Sequence, residues 1–273
     1  MGERVEAARE AMGERATVAR EAMGDRAAAA KEAMGERATA AKEAVGDRAT
    51  ASREAAADAI AAVKPRLRGV SHEVAFFVSL VLGTVLIIAA DTTKSTLAVA
   101  IYAVSLSALF GTSALYHRVN WQSPGARRWM RRLDHSMIFL LIAGTYTPFA
   151  LLVLDGALST AILIAVWVGA LAGTIVEMIW IEAPKWVTAI IYLTLGWVAV
   201  VAFPELWSDL GVPGTLLVAA GGLLYTVGAV VYATQRPNPY PTVFGYHEIF
   251  HALTIVAAAA QFAAIAFFAL PAA

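Results

Sequence analysis

The sequence predicts an all-helical membrane protein: a bundle of seven transmembrane helices with a cytoplasmic amino terminus, preceded by an amphipathic helical tail. Three observations predict it. Of the 273 residues, 59% are apolar and 15% charged, against the ~45–50% and ~25% typical of a soluble domain. The charge is also concentrated. Residues 1–55 hold ten Lys/Arg and eleven Asp/Glu, and the rest of the chain only 11 and 10, too few to solvate a globular surface. Within that remainder, apolar runs of about 20 residues, enough to cross hydrocarbon, recur between short polar turns.

Composition excludes several function classes. The 21 Lys+Arg balance the 21 Asp+Glu, so the basic excess of a nucleic-acid binder is missing. There is no cysteine, which a disulfide scaffold, a Cys-ligated zinc finger or a thiol enzyme requires. The opening residues are charged and repetitive and do not read as a signal peptide.

Residues 1–68 form the tail and a basic linker. An 11-residue unit recurs from Met1, Met12, Met23, Met34 and Val45, rich in Ala, Glu and Arg, all good helix formers. Eleven residues make three turns at about 3.67 per turn, so each position keeps its face. Met and two Ala of each unit make a thin apolar strip flanked by Arg. Such a helix suits a lipid surface, with Arg stems snorkelling to phosphates. Self-association and a loosely ordered solvated spacer are the other readings.

Residues 69–273 form the membrane domain. Its seven apolar segments run Val74–Ala90, Leu97–Tyr116, Ser136–Leu154, Leu158–Val176, Val187–Phe203, Thr215–Thr234 and Ile249–Leu270. Turn signals separate them, among them Asp91-Thr92, Ser123-Pro124-Gly125, Asp155-Gly156, Ser208-Asp209-Leu210-Gly211 and Arg236-Pro237. Orientation follows from basic loops. Lys64, Arg66, Arg68, Arg118, Arg127, Arg128, Arg131, Arg132, Lys185 and Arg236 fall on one side, and only Lys94 on the other. The positive-inside rule therefore places the amino terminus in the cytoplasm.

Polar residues near the spans then sort by depth. His117 ends the second span with Ser113 one turn deeper, Asp134 and His135 open the third, and His247 and His251 begin the seventh. All fall in one layer on the cytoplasmic side. Ionisable groups at membrane depth are costly and mark functional sites. His247 and His251 stand at i, i+4 and project from one face, as do Ser113 and His117. Two imidazoles one turn apart with a third from a facing helix make an open zinc site with one position left for water. Asp134 could accept a hydrogen bond from that water, and Ser113 could bond water or substrate. Blander readings stand beside these. Asp134 also occupies a helix N-cap position, and His135 lies about 100° round from it. His72 reads as a headgroup contact, and Glu177 as a snorkelled interfacial group or, second, as a group lining the cavity. Trp121, Trp180, Trp186 and Trp207 read as interfacial belt anchors, and Gly221, Gly222 and Gly228 as close-packing positions.

At these residues the chain resembles the hemolysin III family, the bacterial branch of the progestin and adipoQ receptor group. The matching stretches are Ser113-Ala-Leu-Tyr-His117, Leu133-Asp134-His135 through Gly144-Thr-Tyr-Thr-Pro148, Gly221 to Gly228, and His247-Glu-Ile-Phe-His251. The resemblance covers about Ser71 to the end and leaves the repetitive tail without a counterpart. It implies a seven-helix fold in the plasma membrane with a cytoplasm-facing zinc site. His117, His247 and His251 would be the ligands, Asp134 would hold the metal's water, and Ser113 would sit beside it. The wider superfamily includes alkaline ceramidases, which implies a zinc-dependent hydrolase of a lipid amide with membrane lipids as partners. A receptor or scaffold with structural zinc is the first alternative. A cytolysin, as the family name suggests, is the second, although the outer halves of the spans are almost entirely Ala, Val, Leu and Ile.

Overall fold

A computed structural model of the chain describes residues 65–272 and, within the repeat, only Met12, Gly13, Met23, Lys31, Met34, Gly35, Lys42 and Val45. The chain divides into two compact units, Met1–Val63 and Lys64–Ala273. In the first unit those repeat positions are helical and exposed. The amphipathic strip and its lipid-surface, self-associating or spacer readings otherwise lie outside the described residues.

The second unit is helical throughout, and local signals explain where each helix starts. Helix α1 (Val70–Ile88) follows Gly69, whose φ of 81° ends the preceding turn. Helix α2 (Thr93–Arg118) is opened by a capping box: the Ser95 N–H donates to Thr92 Oγ1 at 3.1 Å and the Thr92 N–H to Ser95 Oγ at 3.1 Å. Helix α3 (Pro124–Leu152) has proline in its first turn and Ser123 as cap. Helices α4 (Gly156–Ile179), α5 (Lys185–Gly196), α6 (Ala199–Thr234) and α7 (Tyr246–Ala264) follow, the last running into a π-helical turn at Ile265–Ala269. Among the described residues no strand occurs, only an isolated bridge between Tyr240 and Phe244.

Among the described residues six helical stretches are long and apolar enough to cross a bilayer: α1, α2, α3, α4, the 50-residue Lys185–Thr234, and Tyr246–Ala269. Helix α2 packs against α1 and α3, α3 against α4, and α6 against α7. Helices α2 and α3 are therefore central. Around them, large apolar side chains such as Phe77, Val81, Ile88, Val168 and Leu171 point outward and stay exposed, a surface stable only against lipid. The chain is an all-α, multi-pass membrane protein.

The 50-residue stretch is not one rod. At Gly211 the backbone leaves the helix, with φ 64° and ψ −177°, a conformation open to glycine. Trp197 Nε1 donates to Thr226 Oγ1 at 3.2 Å, although 29 residues of straight helix would separate them by roughly 43 Å. Thr215 Oγ1 likewise reaches back to the Leu206 carbonyl at 2.9 Å. The chain thus doubles back where the Ser208–Gly211 turn signal stands.

Two expectations need correction. The third helix begins at Pro124, not near Ser136, so Asp134 is ten residues inside α3 and does not cap it. The arginine-rich stretch before Asp134 reads as a loop by hydropathy, yet it is helix. Gly222 faces open space, whereas Gly221 is a true close contact, since a Cβ there would lie 2.5 Å from Gln261 Nε2.

Candidate metal centre

The carboxyl end of α2, the early turns of α3 and the amino-terminal turns of α7 meet at one end of the bundle. His117 is the penultimate residue of α2 and is buried; His251, one turn into α7, is buried more deeply. His247 Nε2 lies 3.2 Å from His117 Nε2. One nitrogen from each of His117, His247 and His251 falls within a group no wider than 4.8 Å. Tetrahedral zinc at its usual ~2.0–2.1 Å from nitrogen sets donor atoms about 3.3 Å apart, so the closest pair already has the spacing of a shared ion. The three rings crowd together, and His251 Nδ1 is buried and unpartnered among the described residues, an arrangement that could hold a cation. The donor set fits zinc, a borderline-soft ion that imidazole binds well.

Around the three rings stand the oxygen groups. Asp134 Oδ2 is 3.6 Å from His117 Nε2. Ser113, one turn below His117 on α2, is buried with its hydroxyl unpartnered among the described residues. All five residues expected at the site therefore come together, and Ser113, Asp134, His247 and His251 line one cavity of about 390 Å³.

Several neighbours were not legible as such. His72, expected at the headgroups, is buried and stacks face to face on His251, with centroids 3.8 Å apart and planes 7° from parallel. Its stacking makes His72 a backing plate for the His251 ring. Glu177 is buried rather than snorkelled: its carboxylate meets His135 Nδ1 at 3.2 Å and accepts from the Tyr192 hydroxyl at 3.3 Å. Glu248, beside His247, is buried, pairs with the Arg68 guanidinium and accepts the Gly245 N–H at 2.8 Å. The backbone ahead of α1 continues this clasp. The Arg66 N–H donates to the Thr242 carbonyl at 3.1 Å and that of Leu67 to Val243 at 3.3 Å. The segment before α1 thus fixes the entry to α7 and aims His247.

From the imidazoles the cavity runs into the bundle between apolar side chains, among them Leu109, Leu141, Phe149 and Val218. It also reaches the outer wall: Trp197, Val200 and Leu223 line it and are each about half exposed. A polar head site joined to an apolar chamber with a lipid-facing wall matches the shape of an amphiphile.

Sequence comparison agrees with this constellation. The family described as Haemolysin-III related matches residues 60–262. Hemolysin-3 of Bacillus cereus is 32% identical over 205 residues, 74% of this chain and 90% of that protein. The Hemolysin-3 homolog of Bacillus subtilis (strain 168) is 32% identical over 168 residues, 62% of this chain and 75% of that one. The Monocyte to macrophage differentiation factor of Homo sapiens is 29% identical over 168 residues, 60% and 67% of the respective chains. The chain belongs to the hemolysin III family, within the progestin and adipoQ receptor group.

Proposed function

We propose that the protein is a seven-span plasma-membrane hydrolase that uses zinc at its cytoplasmic end to cleave the acyl–nitrogen bond of a lipid amide. The seventh span comes from the doubling back at Gly211, which turns one 50-residue stretch into two passes. Seven passes leave the start of α1 and the His cluster on the side of the arginines from Arg118 to Arg132, the cytoplasmic side by charge.

One observation carries the chemical reading: three convergent imidazoles, a carboxylate and a free hydroxyl stand at the head of an apolar cavity that reaches the lipid-facing wall. His117, His247 and His251 would hold the ion. Bound zinc supplies Lewis acidity, polarising an acyl oxygen and bringing water within reach of deprotonation near neutral pH. The rest falls to the protein. A lipid enters laterally past Trp197 and Leu223, and its chain lies along the apolar chamber, which keeps bulk water out. Asp134 orients the attacking water and takes its proton. The Ser113 hydroxyl donates to the acyl oxygen as charge grows there. When the C–N bond breaks, the proton held at Asp134 passes to the leaving nitrogen, giving a free acid and an amine.

The test is metal analysis of the purified protein and of His117→Ala, His247→Ala and His251→Ala, followed by incubation of the zinc-loaded protein with lipid amides. Asp134→Ala is expected to keep its zinc and lose turnover. Zinc-loaded protein inert against a broad panel of lipid amides and esters overturns the reaction. A structural role is the second reading, favoured by the position of the ligands, because an ion shared by α2 and α7 would fasten helices distant in sequence. There chelation lowers the melting temperature sharply and Asp134→Ala changes little.

A further inference from the structure

Beyond the imidazoles the cavity wall is mainly apolar, and its threonines Thr145, Thr226 and Thr254 bond to carbonyls of their own helices; its inner end differs. There two polar side chains on facing helices keep an atom without a partner among the described residues: the hydroxyl of Tyr225 on α6 and Oε1 of Gln261 on α7. Gln261 is 94% buried, and its orientation is fixed, because its Nε2 donates to the Val218 carbonyl at 3.0 Å. The reverse orientation would set oxygen against oxygen. Gly221 makes room for that amide, and Tyr225, four residues on, shares its helix face. The two side chains therefore spring from positions about one helical turn apart on this face of the cavity. The Tyr102 hydroxyl, on α2, donates instead to the Ala258 carbonyl at 3.4 Å.

A hydrocarbon chain alone leaves both atoms unsatisfied, which is costly away from water. They are also complementary, one a donor and the other an acceptor. A hydroxyl is both at once; a ketone can only accept and would leave Gln261 Oε1 bare. We propose that the inner end of the cavity is a subsite for a hydroxyl carried partway along a lipid chain, accepting from Tyr225 and donating to Gln261 Oε1. The position on the chain follows from helix geometry. Ten residues separate His251 from Gln261, roughly 15 Å of rise, and an extended chain advances about 1.2 Å per bond. A hydroxyl some twelve bonds from the acyl carbon reaches the subsite.

The inference rests on the reading of the cavity as an acyl-chain chamber, and the test separates the two. Full-length protein in nanodiscs is titrated with stearic acid, its 12-hydroxy derivative and its 12-oxo derivative, by displacement of a fluorescent fatty acid; the substituent position is the roughly 15 Å depth restated in bonds. The hydroxy acid is expected to bind about three- to tenfold more tightly than the other two. Tyr225→Phe and Gln261→Leu are each expected to abolish the preference while zinc content and affinity for stearic acid hold; the melting temperature holds in Tyr225→Phe, which loses no hydrogen bond among the described residues, and falls in Gln261→Leu, which loses the bond to Val218. Equal binding of all three acids, or a preference that survives both substitutions, overturns the subsite and leaves the chamber. Failure of every acid to displace the probe overturns the chamber and the subsite together.

Discussion

Gly69 offers the sharpest handle on the metal centre, because it touches the site without belonging to it. Its φ of +81° favours glycine, and a Cβ built there would lie 2.6 Å from the Cβ of His117. Gly69→Ala therefore acts twice. The backbone strain costs about 1–3 kcal/mol. Ordinary contact begins near 3.4 Å, so His117 must also retreat by about 0.8 Å, beyond the ~0.5 Å within which a metal constellation has to be held. Loss of support of this kind lowers metal affinity about 10–100-fold, or about 1.4–2.8 kcal/mol. Gly156 provides the control: its φ is +58°, yet a Cβ there meets nothing within 4 Å. Gly156→Ala carries the strain without the displacement. The assay is zinc titration against a competing chelator, with thermal melts beside it. Gly69→Ala is expected to lose both zinc affinity and stability, and Gly156→Ala stability alone. Undiminished zinc affinity in Gly69→Ala, or equal loss in both variants, refutes the claim that Gly69 positions His117.

Glu248→Ala leaves the Arg68 guanidinium and the Gly245 N–H without their shared acceptor. The cost expected in a denaturation series is about 3 kcal/mol, the low end for a broken buried pair, since the Arg68 side chain keeps 21% exposure. Ser113→Ala is expected to slow lipid-amide turnover about 100-fold without lowering the melting temperature, because its buried hydroxyl has no partner among the described residues to lose. His72→Phe keeps a ring against His251 and should retain zinc as wild type. His72→Ala removes the plate and should weaken zinc binding, both read by the same chelator titration. The absence of cysteine makes topology clean to test. A single cysteine at Asp209 is expected to react with an impermeant maleimide from outside the cell, and one at Arg236 only after permeabilisation. Labelling of both from one side would remove the seventh pass.

The spans were legible because a bilayer imposes one requirement, an uninterrupted apolar helix, and hydropathy measures it directly. What hydropathy cannot see is helix outside hydrocarbon. The stretch from Pro124 to Leu133 carries four arginines and reads as a loop, although Ser123 and Pro124 together are a helix start. The doubling back at Gly211 was visible as a turn signal, because polar residues and glycine interrupt an apolar run there. The histidine cluster was legible for a different reason: His247 and His251 share a helix face by spacing alone, and topology places His117 at the same end.

Other parts of the site stayed hidden because spacing carries no information about rotation between distant helices. A lone histidine at a membrane boundary has no period, so nothing in the sequence turned His72 inward onto His251. The pairs Arg68–Glu248 and His135–Glu177 join residues 180 and 42 apart, and either carboxylate alone resembles a solvated charge. The unpartnered polar atoms tell most about purpose. Seven residues carry at least one among the described residues, and five of them, His72, Ser113, Tyr225, His251 and Gln261, line the same cavity. Each such atom costs free energy wherever it is buried. Their alignment along a single chamber, three by the imidazoles and two at its far end, is the arrangement expected of a site whose ligand is polar at its head and again partway down its chain.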